Sequence, residues 1–204
     1  MKIGLKYFDI PGRGEVLRIL LSGCKNIEYT DTRIPFSEWR TVKPTLPYGQ
    51  VPVLCMDDGA VMTQSTSLYR YCAKLVDLYP SDPFQALVVD ETMDVVNDML
   101  TNIPSQGTGT DEELKIKRHE YRDTILKQGL TLIESRIEQY GVDTNTICGI
   151  PSVADVCMMT VTNALKNSFF THLDGTILTE YPLIMKVADT ATRLPIVVSY
   201  NNKS

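Results

Sequence analysis

Pro52, inside the run Gly49-Gln50-Val51-Pro52-Val53-Leu54, restricts this fold more than any other residue. Proline offers no N–H to a ladder, so it is unsuited to a central strand, yet the apolar pair Val53-Leu54 directly follows it. A strand that starts at Pro52 in the cis form resolves the conflict. That turn leaves the N–H and C=O of Val51 outside the sheet, facing a cleft where an extended peptide would pair with them as an added strand. Further on, Gln64-Ser65 stands where a strand gives way to a helix, and a helix N-terminus attracts carboxylates. A backbone clamp beside an anion-attracting helix start suits a small acidic peptide. Taken singly, the two features also describe an ordinary proline-initiated strand and a serine N-cap.

The surrounding pattern has the spacing of βαβ units. Residues 3–7 read as a strand and Asp9-Ile10-Pro11-Gly12 as a turn. Residues 14–22 carry Val16, Leu17, Ile19, Leu20 and Leu21 at helical spacing, closed by Gly23. A short strand over 27–30, a strand over 52–56, an Asp57-Asp58-Gly59 hairpin, a returning strand over 60–62 and a helix over 65–75 complete the series. This order predicts a mixed four-stranded sheet with helices on its faces. The turn-rich stretch Tyr79-Pro80-Ser81-Asp82-Pro83 ends it, and the periodicity beyond is helical over 84–103, 112–140, 153–166 and 182–191, with a loop at Gly107-Thr108-Gly109. The reading is therefore an α/β domain over 1–76, a linker over 77–83 and an all-α domain over 84–204.

Composition excludes several classes of function. A net charge of −5 argues against nucleic acid as the main partner. With 43% hydrophobic and 22% charged residues, and no apolar run long enough to cross a bilayer, a soluble protein without membrane association is expected. The N-terminal residues lack a signal-peptide core, which predicts a cytoplasmic protein. Five cysteines without a C-x-x-C pair read as reduced thiols, and two histidines without a partner set leave no expected metal. Ser152 and Asp155, three apart before an apolar run, read as a capping box that nucleates a helix rather than as a catalytic pair.

Ligand sites favour crevices between domains and the C-terminal ends of parallel strands. Tyr7 ends the first strand and Arg13 starts the first helix, close to the Val51-Pro52 turn and Ser65 in such a sheet. A phenolic O–H is a good single donor to a sulfur anion, and an arginine adds a fixed positive charge. A lone tyrosine equally suits core packing; convergence with the clamp selects Tyr7.

These residues also carry a resemblance. Tyr7-Phe8-Asp9, Gly12-Arg13-Gly14-Glu15, Arg18, Phe36, Trp39, Lys43-Pro44, residues 46–54, Gln64-Ser65 and Arg70-Tyr71 together resemble the cytosolic glutathione transferases, which places a thioredoxin-like fold on the N-terminal domain. Within them the chain is most similar to the sigma class, found among prostaglandin D synthases and invertebrate enzymes. The match covers most of residues 3–75, and the helical half follows mainly through Gly149, Ser152 and Asp155.

The resemblance implies roles by position, with glutathione as co-substrate. Tyr7 would stabilise the glutathione thiolate with support from Arg13, and Phe8 would line the site. Trp39 and Lys43 would hold the glycyl carboxylate. The backbone of Gly49, Gln50 and Val51, set by Pro52, would pair with the cysteinyl unit, and Gln64 and Ser65 would take the γ-glutamyl end. Asp98 matches an acid that reaches across a homodimer interface to the glutamyl ammonium. The implied reaction is addition of the thiolate to small hydrophobic electrophiles, a detoxification. Alternatives are a non-catalytic, crystallin-like binding relative and a glutathione-dependent peroxidase or prostaglandin isomerase. Asn97 and Ser105 depart from the prostaglandin D synthase pattern and count against the last, and Gln50 replaces a frequent basic residue. The few residues after Tyr200 predict no covering C-terminal helix.

Overall fold

The computed structural model describes residues 1–105, 107 and 109–202. The chain forms two compact units, Met1–Tyr79 joined by the chain from Arg193 onward, and Pro80–Thr192. The first division falls inside the turn-rich stretch around Pro80.

In the first unit, β1 (Lys2–Phe8) lies beside β2 (Glu28–Ile34) in parallel and beside β3 (Val53–Met56) in antiparallel fashion, and β3 pairs with β4 (Val61–Met62). The sheet order is β2-β1-β3-β4, the mixed sheet expected from the sequence. β1 alternates in burial, with Ile3, Leu5 and Tyr7 inward. The helix α1 (Gly12–Ser22) buries nearly its whole length, from Gly14 and Val16 through Leu21.

Strand β2 runs four residues beyond the expected 27–30. Its polar second half, Asp31-Thr32-Arg33, pairs with Leu5, Lys6 and Tyr7 at the sheet edge, where one face tolerates charge. Between β2 and β3 the chain makes short helical turns, including Phe36–Glu38, α2 (Trp39–Val42), Lys43–Thr45 and Pro47–Gly49. After the hairpin, α3 (Ser65–Lys74) buries Leu68, Tyr69, Cys72 and Ala73.

The last helix of the chain, α9 (Pro195–Asn201), also belongs to this unit and packs on α1, whereas the sequence reading grouped it with the helical domain. Gly23 takes an ordinary φ of −87°, so it is not there for left-handed backbone. A Cβ at Gly23 would stand 2.4 Å from Ile196 Cδ1, so the Ile196 side chain of α9 rests where a larger residue would have to displace it.

The second unit is helical: α4 (Pro83–Thr101), α5 (Asp111–Tyr121), α6 (Lys127–Tyr140), α7 (Val153–Lys166) and α8 (Pro182–Thr192), with a 3-10 segment over Gly175–Glu180. Asp82 caps α4 by accepting from the N–H groups of Phe84 (3.0 Å) and Gln85 (2.8 Å). The helix expected over 112–140 is continuous in space, but a π-helical turn, Arg122–Leu126, joins α5 to α6. The expected loop at Gly107-Thr108-Gly109 includes Thr108, which lies outside the described residues, as do Lys203 and Ser204 of the tail.

α7 is buried along most of its length and packs against α4 and α8. Its capping box forms as the sequence predicts. The Asp155 carboxylate accepts from the Ser152 N–H (2.6 Å), the Ser152 hydroxyl (2.9 Å) and the Ile147 N–H (2.7 Å). Burial pushes the carboxyl up to about 6, against the pull of those donors. The folded chain thus holds this proton more tightly than the unfolded chain. The group's contribution to stability is full below the unfolded value of 3.8 and falls as the pH rises through about 6. Asp155→Ala strands buried donors and should lower the unfolding free energy by about 3 kcal/mol or more. Urea unfolding across pH 4 to 7 checks this, and the variant should also lose the decline in stability that the wild type shows over that window.

Candidate active site

Tyr7 is the next-to-last residue of β1, is only 6% exposed, and lies against the backbone of the first turn of α1. Two glycines make that approach possible. A Cβ at Gly12, where φ is +42°, would stand 2.6 Å from the Tyr7 hydroxyl, and one at Gly14 would stand 2.4 Å from Tyr7 Cδ1. The N–H of Arg13, one of the first donors of the helix, donates to the Tyr7 oxygen at 3.1 Å. The hydroxyl is thereby held as an acceptor and keeps its own proton to give away. Burial raises its pKa above 10, while the Arg13 N–H and then the charges of Arg13 and Arg18 pull the other way. At neutral pH Tyr7 is a neutral hydrogen-bond donor, not a base.

Phe8 stacks on Phe36 with centroids 4.6 Å apart and meets the Trp39 ring edge-on at 5.0 Å. The helical turns after β2 thus bring Trp39 to the end of β1. Lys43 follows α2, and its side chain runs beside Gly49, where a Cβ would stand 3.3 Å from Lys43 Cε. Gly49 has a φ of +57° and Gln50 is extended and exposed. The Val51-Pro52 bond is cis, as the sequence reading expected. The last pair of β1 with β3 is Lys6 with Val53, so Val51 stands outside the ladder.

Gln64 is the N-cap of α3, with φ 71° and ψ 102°, and its side chain makes no capping bond. Ser65 is the first helical residue, so the serine N-cap alternative does not hold. A glutamine in that backbone region is costly and persists only where its surroundings hold it. The structure gathers Tyr7, Phe8, Arg13, Trp39, Lys43, Gly49, Gln50, Val51, Pro52, Gln64 and Ser65 within the first unit. Asp98 lies on α4 of the second unit, exposed, as is Asp94.

Two residues of this region escaped the sequence reading as parts of the site. The Tyr69 hydroxyl donates to the Arg13 carbonyl at 2.7 Å, tying α3 to the start of α1. Nothing in the sequence separates Tyr69 from the other nine tyrosines. Arg18 is 1% exposed and bonds the turn after β1. Its signal was present: one arginine between Val16-Leu17 and Ile19-Leu20-Leu21. Among the described residues no group of histidine, cysteine, aspartate and glutamate can hold a metal ion.

Comparison with known proteins accords with this geometry. The family of the glutathione S-transferase N-terminal domain matches residues 3–74. A glutathione S-transferase of Anopheles gambiae is 33% identical over 172 residues, covering 79% of this chain and 82% of that one. The chain belongs to the glutathione transferase family. The structure of prostaglandin synthase D of Nilaparvata lugens has a TM-score of 0.83 at 26% identity and covers all of this chain and 98% of that one. A monomeric glutathione S-transferase of the hookworm Necator americanus shares the fold at a TM-score of 0.80 and 22% identity, over 100% of this chain and 97% of that one.

The glycine packing yields a test. Gly14→Ala should lower the unfolding free energy by about 1–3 kcal/mol, because the added methyl overlaps the Tyr7 ring. Gly4→Ala, whose methyl would meet ordinary contacts at 3.5 Å, is the control and should change stability far less. Thermal unfolding of the two variants beside the parent chain decides.

Proposed function

We propose that the chain is a glutathione transferase of sigma-class type that joins the glutathione sulfur to small hydrophobic electrophiles. The observation that carries this reading is the Tyr7 hydroxyl, fixed by the Arg13 N–H and free to donate its own proton. Glutathione thiol loses its proton to solvent; the thiolate accepts the Tyr7 hydrogen bond; the sulfur then bonds to the electrophilic carbon, whose leaving group departs with the electron pair. A free thiol has a pKa near 8.5, and lowering it by about two units requires roughly 2.7 kcal/mol of selective anion stabilisation. A buried donor with the Arg13 charge beside it is of that order.

In this reading Trp39 and Lys43 hold the glycyl carboxylate. The exposed edge at Gly49, Gln50 and Val51, turned by Pro52, pairs with the cysteinyl backbone. Gln64 and Ser65 at the start of α3 receive the γ-glutamyl end, and Phe8 lines the site. The role is cytoplasmic detoxification. The likeness to the prostaglandin synthase D of Nilaparvata lugens supports a second reading, isomerisation of a prostaglandin endoperoxide at the same thiolate. Retention on immobilised glutathione, followed by assays with aryl halides, lipid aldehydes, hydroperoxides and prostaglandin H2, separates these from a binding protein without activity.

Tyr7→Phe should bind glutathione with nearly unchanged affinity but conjugate it about ten- to a hundred-fold more slowly, since one donor to the developing anion is lost. Ultraviolet titration of the bound thiol should show its pKa moving back toward the free value. Equal turnover and an equal thiol pKa would place the chemistry elsewhere.

The active unit is a homodimer in which Asp98 of each chain completes the other's site by binding the glutamyl ammonium. Asp98→Ala should raise the glutathione KM roughly ten-fold, the loss of one charge-assisted bond. Mixing Asp98→Ala with Tyr7→Phe subunits should restore substantial activity, because half the sites of a mixed dimer carry both lesions and half carry neither. A mixture no more active than its parents, or sedimentation as a monomer like the hookworm relative, would end the shared-site reading.

A further inference from the structure

Arg18 is a cation placed where the helix buries its apolar face. A guanidinium withdrawn from water is costly unless its donors are matched. Its Nε donates to Asp31 Oδ2 (2.8 Å), Nη1 to the Ile10 carbonyl (2.7 Å) and to Glu15 Oε2 (3.3 Å), and Nη2 to the Phe8 carbonyl (3.0 Å). The two carbonyls bracket the turn that carries the backbone from Tyr7 to Gly12. The guanidinium carbon also stands 5.8 Å from the centroid of the Tyr7 ring.

Asp31 orients the arginine. Its Oδ2 also accepts from Arg33 Nε at 3.0 Å, and Arg33 Nη1 reaches Asp9 Oδ1 at 2.8 Å. One network therefore ties α1, β2 and the turn together. Asp31 Oδ1 is buried with no hydrogen-bond partner among the described residues. Hydrophobic side chains would stabilise α1 in this place without that loss, so stability alone is a weak reason for the pair. What apolar residues would not supply is a fixed turn and a positive charge close to Tyr7.

We propose that Arg18 is a positioning residue of the Tyr7 site: oriented by Asp31, it clamps the Phe8 and Ile10 carbonyls so that the Arg13 N–H meets the Tyr7 hydroxyl, and it adds a second positive charge that favours the thiolate. This rests on the reading of Tyr7 as the thiolate's donor. Arg13 is half-exposed at the helix start, whereas Arg18 acts from inside the unit, where screening by water and salt is weaker.

The test compares Arg18→Lys, Asp31→Asn, the pair Arg18→Met with Asp31→Asn, and Tyr7→Phe. Each is measured for the pKa of bound glutathione by ultraviolet titration, for kcat and KM, and for thermal unfolding. The pair variant should raise the bound thiol pKa by about one unit and lower kcat/KM roughly ten-fold below that pKa, with the glutathione KM within about two-fold. Arg18→Lys keeps the charge without the fork and should fall between it and the parent. Asp31→Asn keeps Arg18 but loosens it and should give a smaller rise. If the pair does not fold, the last two decide. A parental thiol pKa in every folded Arg18 and Asp31 variant, while Tyr7→Phe raises it, overturns the proposal alone. A parental value in Tyr7→Phe as well overturns the reading beneath it.

Discussion

The first unit is organised around one hydrogen bond between a strand and a helix start, from the Arg13 N–H to the Tyr7 oxygen. A tyrosine at the end of a buried strand ordinarily needs a surface outlet for its hydroxyl. Here the outlet is the first turn of α1, where the Arg13 N–H points at the phenolic oxygen. The bond forms only because Gly12 and Gly14 let the ring lie on the backbone, so two side chains are given up to place one. The same contact decides which proton Tyr7 retains. An acceptor bond from the Arg13 N–H leaves the phenolic hydrogen of Tyr7 to be donated to an anion.

The remaining parts of the candidate site are backbone devices held by neighbours of that bond. Tyr69 fixes the Arg13 carbonyl from α3, and Arg18 fixes the carbonyls on either side of the turn. Val51 stands outside the ladder, Gly49 rests on the Lys43 stem, and Gln64 occupies a strained N-cap. Few of these depend on a charged side chain. Exposed main chain and helix starts, with a few aromatic rings, are a suitable surface for a short acidic peptide.

The sequence revealed a mixed four-stranded sheet and the main helices because β1 alternates in burial and the apolar residues of α1, α3 and α7 fall at helical spacing. It shortened β2, since Asp31-Thr32-Arg33 reads as loop until its partners Asp9 and Arg18 are known. The helical turns between Phe36 and Gly49 carry Pro44 and Pro47 and no periodic apolar face, so local pattern could not find them. The π turn at Arg122–Leu126 adds no residue type that marks it. In the candidate site, the nearness of Tyr7 to Arg13 was legible from position along a βαβ unit, and the turn before β3 from Pro52. Arg18 and Tyr69 were not read as site residues because their importance lies in which carbonyls they reach, and that is a property of three dimensions.

Packing of Ile196 against Gly23 has a consequence for how the protein is made. The ribosome completes β1 through α3 and then the whole of Pro80–Thr192 before it supplies α9. Until then the α1 surface at Gly23 lacks the Ile196 side chain that packs on it. A tag or fusion placed after residue 202 is therefore adjacent to a structural helix of that unit, whereas an insertion in the loops of the second unit leaves this closure intact.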